Sequence, residues 1–194
     1  MLFRSPGDLT AVAATNSTAV VTYSASATDL VDGPVAVSCS PASGSIFPVG
    51  TTTVTCSATD AHGNTTPNEA KPSFTVTVTY NFTGFFQPID NLPTVNQAKA
   101  GSAIPVKFSL HGNQGLDIFA ASPSAPAESC GATAALDTIE ETVTAGGSSL
   151  QYDPAADQYI YVWKSDKAWA GTCHQLVVKL KDGTVQRAHF KFTK

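Results

Sequence analysis

The chain has 194 residues, enough for one large domain or two domains of ordinary size. Only 13% of them are charged and the net charge is −4, with no run of basic residues. Nucleic-acid binding needs a clustered cationic surface, and a transmembrane helix needs a long apolar stretch. The sequence contains neither, so we expect no nucleic-acid partner and no membrane insertion.

The first eighty residues predict a series of short β-strands. In "FTVTVTY", Phe74, Val76 and Val78 alternate with threonines, the pattern of a half-buried strand. Turn sequences rich in Gly, Pro, Asp and Asn separate the strand-like runs. This spacing predicts an antiparallel β-sandwich rather than a parallel α/β sheet. The predicted strands are 9–13, 20–27, 35–39, 52–58 and 74–80.

Two cysteines lie within this first series of strands. Cys39 and Cys56 are 17 residues apart and share the strand parity of Val37 and Val54. A zinc site needs further ligands, and only His62 is close in the sequence. We therefore predict a disulfide, which stabilises by about 3 kcal/mol in the chain-entropy model and indicates an oxidising compartment.

The same stretch resembles the hyalin repeat, an immunoglobulin-like module of extracellular and cell-surface proteins. The resemblance rests on "VVTYSASATDLVDG", "VAVSCSPASGSIFPVGTTTVTCSATDAHGN" and "SFTVTVT", between residues 19 and 79. It implies a β-sandwich used for adhesion or as a spacer, without enzymatic activity. At the amino end "MLFRSPGD" replaces or shortens the expected opening strand, so we expect the first edge of this domain to be incomplete.

A change of pattern after Tyr80 predicts a domain boundary, with domains at 1–80 and 81–194. Beyond it, alternating apolar residues over 104–110 predict another strand. The runs "SLQYDPAADQYIYVWK" and "CHQLVVKLKDGTVQRAHFKF" predict hairpins, the second with Asp182-Gly183 at its turn. Residues 123–147 predict a long loop, with one helical turn near 136–141.

The remaining cysteines are Cys130, in that long loop, and Cys173, at the start of a predicted strand. A disulfide between them would fasten the loop to the sandwich and stabilise by about 4 kcal/mol. We therefore predict one disulfide in each domain.

The second half is similar to a bacterial domain named for its Pro-x-Lys-Phe signature, here Pro105 to Phe108. The pieces "FTGFFQPIDN", "AGSAIPVKFSLHGNQGLDIF", "YVWKSDKAWAGTC" and "LKDGTVQRAHFKF" show this similarity. It implies a place at the carboxyl end of a secreted, multi-domain bacterial protein and implies no particular activity. The predicted fold is all-β, with two tandem immunoglobulin-like antiparallel β-sandwiches.

The sequence shows no catalytic constellation. The four histidines lie in unrelated contexts, without an HExxH, GxSxG or phosphate-binding loop motif. Cys173 and His174 are adjacent, but neighbouring strand residues point to opposite faces of a sheet. We expect no enzymatic activity and no cofactor.

Calcium binding is the alternative to that expectation. Asp29, Asp32 and Asp60 fall at predicted loop positions, and calcium prefers several oxygen ligands. The EF-hand spacing is missing, and Asp also serves turns through hydrogen bonds from its carboxylate to the backbone. We favour the turn interpretation of these three residues.

Aromatic residues suggest a binding platform for sugars. Tyr159, Tyr161 and Trp163 share one strand parity, which is more typical of a core. Trp169, in a predicted loop close to Gly171, is the better candidate for an exposed ring that contacts a surface glycan.

These observations favour a non-enzymatic structural or adhesion module, either secreted or on the cell surface. The first ten residues lack the apolar core of a signal peptide, so an export signal was removed or the chain belongs to a longer exported protein. Expected partners are copies of the chain, neighbouring modules or a surface glycan. Leu2 and Phe3 are candidate donor-strand residues for a neighbour's sheet, and a disordered terminus is the alternative.

Overall fold

The computed structural model describes residues 2–66, 72–131, 135–143 and 149–194. The chain divides into two compact units, Met1–Tyr80 and Asn81–Lys194, called here the first and second units. The described residues form strands and loops, with one 3₁₀ turn at Lys167–Trp169 and no α-helix among them. The predicted all-β fold with antiparallel sheets is confirmed.

The residues described in the first unit form three sheets. Their strand orders are β1-β4-β5, β2-β9-β8-β6 and β3-β7, and every pairing is antiparallel except that of β2 with β9. The strands described in this unit are β1 Leu2–Arg4, β2 Leu9–Val12, β3 Thr18–Val20, β4 Ser26–Asp29, β5 Gly33–Val35, β6 Val37–Ser40, β7 Ile46–Pro48, β8 Gly50–Ala58 and β9 Ser73–Thr79.

Alternation along β8 and β9 builds the core of the first unit. Val54, Val76 and Val78 are fully buried, while the threonines between them face outward or lie half-buried. The ring of Tyr23 packs edge-on against Phe74, with ring centroids 4.9 Å apart. Burial of each such apolar side chain stabilises by about 1.5–3 kcal/mol, so the period-two pattern fixes which face of the sheet turns inward.

The first disulfide joins two neighbouring strands of one sheet. Cys39 in β6 lies directly opposite Cys56 in β8, with their Cα atoms 4.0 Å apart. Because β6 is at the edge of its sheet, the bond fastens an edge strand to the strand beside it. In antibody domains the corresponding bond joins the two sheets instead. The immunoglobulin-like detail of the prediction therefore stays a prediction.

The amino-terminal residues that depart from the repeat form two short strands, and both are paired within the first unit. Strand β2 pairs in parallel with β9, and a carboxylate oxygen of Asp8 accepts a hydrogen bond of 2.7 Å from the amide of Thr75. That bond lowers the pKa of Asp8. The preceding segment is also paired, because β1 lies antiparallel to β4 with Phe3 opposite Ala27. Leu2 and Phe3 therefore lie in a strand of their own unit.

In the second unit the described strands form two larger sheets, with strand orders β10-β12-β16-β15 and β13-β17-β18-β11-β14. Strand β11 is parallel to both of its neighbours, β14 and β18. The strands described in this unit are β10 Phe85–Phe86, β11 Val95–Lys99, β12 Ala103–Phe108, β13 Ala127–Glu128, β14 Leu136–Thr138, β15 Leu150–Asp153, β16 Gln158–Lys164, β17 Cys173–Lys179 and β18 Val185–Thr193.

The helical turn predicted near 136–141 is wrong. Leu136–Thr138 is an edge strand, because backbone bonds of 2.9 and 3.0 Å tie Ala135 to Val95 and Ile139 to Gln97. Pairing with a distant strand thus overrides the local tendency of this segment. The two hairpins are confirmed, with Asp182 accepting a 2.9 Å bond from the amide of Thr184 in the second turn.

Aromatic rings fill the space between the two sheets of the second unit. Trp163 of β16 contacts Phe190 and Phe192 of β18, with ring centroids 5.0 and 5.9 Å apart. Tyr159 stacks on Phe108 at 5.5 Å and is fully buried. Tyr159 and Trp163 are thus core residues, and the two sheets pack as a sandwich.

Asp157 ties the β15–β16 turn to the loop after β12. Its carboxylate accepts hydrogen bonds from the hydroxyls of Tyr152 and Ser109, at 2.8 and 2.9 Å, and from the amide of Gly112 at 2.9 Å. Burial raises the pKa of Asp157, but these bonds outweigh it and the net pKa is lowered. The same bond has the opposite effect on its donor, since it raises the pKa of Tyr152 to about 12.

We expect Asp157→Ala to lower the free energy of unfolding by about 2–3 kcal/mol, because three donors lose a charged acceptor. Urea denaturation measures this, with Asp117→Ala as control, since the exposed Asp117–Lys181 pair is worth at most about 1 kcal/mol. Because the pKa of Asp157 is lower in the folded state, its carboxylate stabilises the fold at pH values above the pKa of an aspartate in the unfolded chain. The difference in stability between wild type and Asp157→Ala should therefore shrink below about pH 4, as Asp157 is protonated. Equal effects of both variants would contradict the role of Asp157.

Candidate functional site

The first candidate site lies in the loops at β4–β5 and after β8. Asp32, Asp60 and His62 each offer a ligand atom, and these atoms lie within 4.8 Å of one another. Nδ1 of His62 is 3.1 Å from Oδ2 of Asp32. Of the predicted calcium residues, the structure thus brings together Asp32 and Asp60, and Asp29 lies close enough to Asp60 for the two carboxylates to interact electrostatically. His62 is an addition that the sequence did not assign to this site.

The carboxylates of Asp60 and the nearby Asp29 accept hydrogen bonds within their own turns. Asp60 accepts bonds from the amides of His62 and Asn64, at 3.0 and 2.7 Å, and from the side chain of Asn64 at 2.9 Å. Asp29 accepts a 2.9 Å bond from the amide of Val31. The bond to the Asn64 side chain lowers the pKa of Asp60, and the bond to Val31 lowers that of Asp29. These bonds hold both loops in shape.

The turn role of Asp60 leads to a test. We expect Asp60→Ala to lower the free energy of unfolding by the same amount in EDTA and in millimolar CaCl₂, because the lost partners are amides of the same loop. Urea denaturation in both buffers measures this. If calcium stabilises the wild type and not the variant, the turn interpretation fails and the cluster is a calcium site.

The second candidate site is an open groove of about 490 Å³ at Trp169. The 3₁₀ turn begins where Asp166 accepts a 2.9 Å bond from the amide of Ala168, and it ends where the hydroxyl of Thr172 bonds to the carbonyl of Trp169 at 2.6 Å. The indole stacks on His174, with centroids 4.1 Å apart, and also contacts Phe192. The groove is lined by Gly101, Lys164, Ser165, Asp166, Lys167 and Trp169.

Trp169 is therefore half-buried rather than a free loop residue as the sequence suggested. One face of the ring lies on His174, whose Nδ1 and Nε2 bond to Ala125 at 2.9 Å and to Thr172 at 3.0 Å. Sequence reasoning missed His174 as the support of Trp169. Its signal is the strand parity it shares with the buried residues Leu176 and Val178.

The third candidate site is a cleft of about 590 Å³ beside the second disulfide. Lys191 and His189 of β18 lie in it, and Nδ1 of His189 is 2.6 Å from a carboxylate oxygen of Glu128. The bond between Cys130 and Cys173 borders the same cleft, so neither sulfur is a free thiol. The Glu128–His189 pair was not predicted, since 61 residues separate its members.

Comparison with solved structures finds weak similarities. One is a mixed-linkage glucan utilization protein (SGBP-B) of Bacteroides ovatus with a bound heptasaccharide, at 11% identity and a TM-score of 0.30. Another comprises cadherin domains 1–4 of protocadherin gamma B7, at 11% identity and a TM-score of 0.26. A third is an endo-fucoidan hydrolase of glycoside hydrolase family 107, at 13% identity and a TM-score of 0.22. The matches cover 97–99% of this chain but only 43%, 50% and 34% of those chains. Scores of this size do not establish a common fold.

Curated proteins offer no match to the chain. The helical residues that the structure describes form no segment long and apolar enough to cross a membrane. The resemblance of the second unit to the Pro-x-Lys-Phe domain remains a prediction. Residues 7–78 match the HYR domain family, and this match supports the hyalin-repeat resemblance of the first unit.

Proposed function

We propose that the chain is a non-enzymatic structural or adhesion module that acts outside the cell, secreted or at the surface. The observation behind this proposal is that each unit has a disulfide that fastens an edge strand. Cys39–Cys56 holds β6 to β8, and Cys130–Cys173 holds the chain just after β13 to β17. Such bonds persist in oxidising compartments, and the HYR match of the first unit agrees with an extracellular setting.

A non-catalytic role fits the way the reactive side chains are used. The cysteines of both units are paired, and both ring nitrogens of His174 are hydrogen-bonded within the fold. The carboxylate of Asp157 is surrounded by donors from its own unit. These groups hold the sandwich together and are not free to act on a substrate.

Replacing the cysteines of each disulfide by serine tests the structural role. We expect Cys39→Ser/Cys56→Ser to destabilise the first unit by about 3 kcal/mol and Cys130→Ser/Cys173→Ser the second by about 4 kcal/mol, because each bond closes a loop in the unfolded chain. Calorimetry and limited proteolysis measure this, with oxidised wild type as the reference. Unchanged melting and cleavage in both variants would remove the basis of the proposal.

We also propose that copies of the chain associate by strand exchange through β1. This strand has three residues and lies at the edge of its sheet, and the side chain of Leu2 is 65% exposed. Its release breaks few bonds, and pairing with β4 of a neighbouring copy restores them. Such head-to-tail exchange continues from copy to copy and forms a filament.

Electron microscopy of stained protein tests the exchange. We expect fibres of the full chain and none after deletion of residues 1–5, which removes β1 and leaves β2 in place. Leu2→Asp/Phe3→Asp should act like the deletion, and Val12→Asp is the control for an exposed apolar residue outside β1. Fibres in all samples, or in none, would exclude exchange through β1.

Carbohydrate binding is the second candidate function, and the groove at Trp169 favours it. The part of the indole that does not lie on His174 faces an open groove with Asp166 and two lysines. An aromatic platform with a few polar groups around it is typical of small-molecule binding sites. A sugar ring presents an apolar C–H face and a rim of hydroxyls, which match these two features.

A further inference from the structure

The groove at Trp169 has an excess of positive charge in a chain whose net charge is negative. Lys164 and Lys167 both line it and are exposed, and Asp166 is its one acidic residue. Within the described parts of the chain, neither lysine forms an ion pair, whereas Lys107 is paired with Glu141 at 2.7 Å. The two ammonium groups are therefore available to a ligand.

Gly101, which also lines the groove, supports the side chain of Lys167. The aliphatic part of its side chain lies against Gly101, where a Cβ would be 2.6 Å from Cγ of Lys167. Gly101 has φ +85°, a conformation that glycine adopts without strain. Because the stem of Lys167 packs on this backbone, its ammonium group stays near the groove.

Trp169 is also fixed before a ligand arrives. Its ring stacks on His174, and Trp163 contacts it from the core with ring centroids 6.0 Å apart. Lys164 follows Trp163 directly and ends strand β16. The platform is thus packed against the core and one cation lies at the end of a strand, so binding has few side chains left to order.

We propose that this groove binds an acidic polysaccharide, with the pyranose ring of one uronic acid or sulfated sugar stacked on Trp169. The carboxylate or sulfate then pairs with Lys164 and Lys167, and Asp166 accepts hydrogen bonds from sugar hydroxyls. This inference rests on the carbohydrate function proposed above and names its ligand class. A neutral glucan offers the ring but leaves both ammonium groups without a partner.

Affinity electrophoresis and calorimetry of the 194-residue chain test this with polygalacturonate, dextran sulfate and neutral dextran. We expect at least one of the two acidic polymers to bind, with an affinity that falls as salt screens the lysines, and dextran about tenfold or more weaker. Lys164→Glu/Lys167→Glu should abolish binding of the acidic polymer. Lys179→Glu is the control for charge reversal, at an exposed lysine at the other end of β17 from His174, and it should bind like wild type.

Trp169→Ala should weaken binding of the acidic polymer about tenfold or more. Its melting temperature is measured alongside, because Trp169 also packs on His174, and the charge-reversed double variant tests the groove without touching that packing. Equal binding of acidic polymer and dextran, both sensitive to Trp169, would keep the carbohydrate function and overturn its acidic specificity.

Absence of binding to any polymer would reject both the carbohydrate function and this inference. Competition by a single-stranded DNA oligonucleotide as strong as that by polygalacturonate would also overturn the inference. The groove would then respond to negative charge alone, and the indole would not select a sugar.

Discussion

This protein's structure depends on protecting the edge strands of its sheets. Every open sheet ends in a strand whose outer backbone groups are unpaired, and proteins commonly protect such strands with charged side chains. This chain has few charged side chains, because only 13% of its residues are charged. Its edges are protected by other means: disulfides hold Cys39 of β6 and the chain beside β13, and many edge strands have only two to four residues.

Alternation within a strand could be predicted from the sequence, because it depends only on which face of a sheet is buried. Val76 and Val78 of β9 are buried as the pattern indicated, and Asp182 and Gly183 form the turn of the β17–β18 hairpin. Partners far apart in the chain could not be predicted in the same way. The parallel pairing of β2 with β9 and the edge strand at Leu136–Thr138 depend on distant strands, and local sequence does not specify them.

The candidate sites show the same division. Trp169 was identified as a candidate contact residue because it falls in a predicted loop close to Gly171, but its support on His174 depends on how β17 faces the core. Asp32 and Asp60 were identified from their residue type and loop positions, but only the meeting of two loops brings Asp32 to His62, which lies two residues after Asp60. Single residues with distinctive chemistry can thus be found in a sequence, while the neighbours that orient them require the fold.

A stable spacer and a binding platform make the same demand on the second unit. Ligand binding is favoured when the contacting side chain is already ordered, because ordering a free side chain opposes association by about 0.5–1.5 kcal/mol. Trp169 is ordered by its stacking on His174, and His174 follows Cys173, which the second disulfide fixes at the start of β17. The disulfide that resists unfolding of the sheet edge therefore also lies one residue from the support of the indole. The proposed structural role and the proposed recognition at the groove are compatible in one sandwich, because both rely on the beginning of β17 remaining in place.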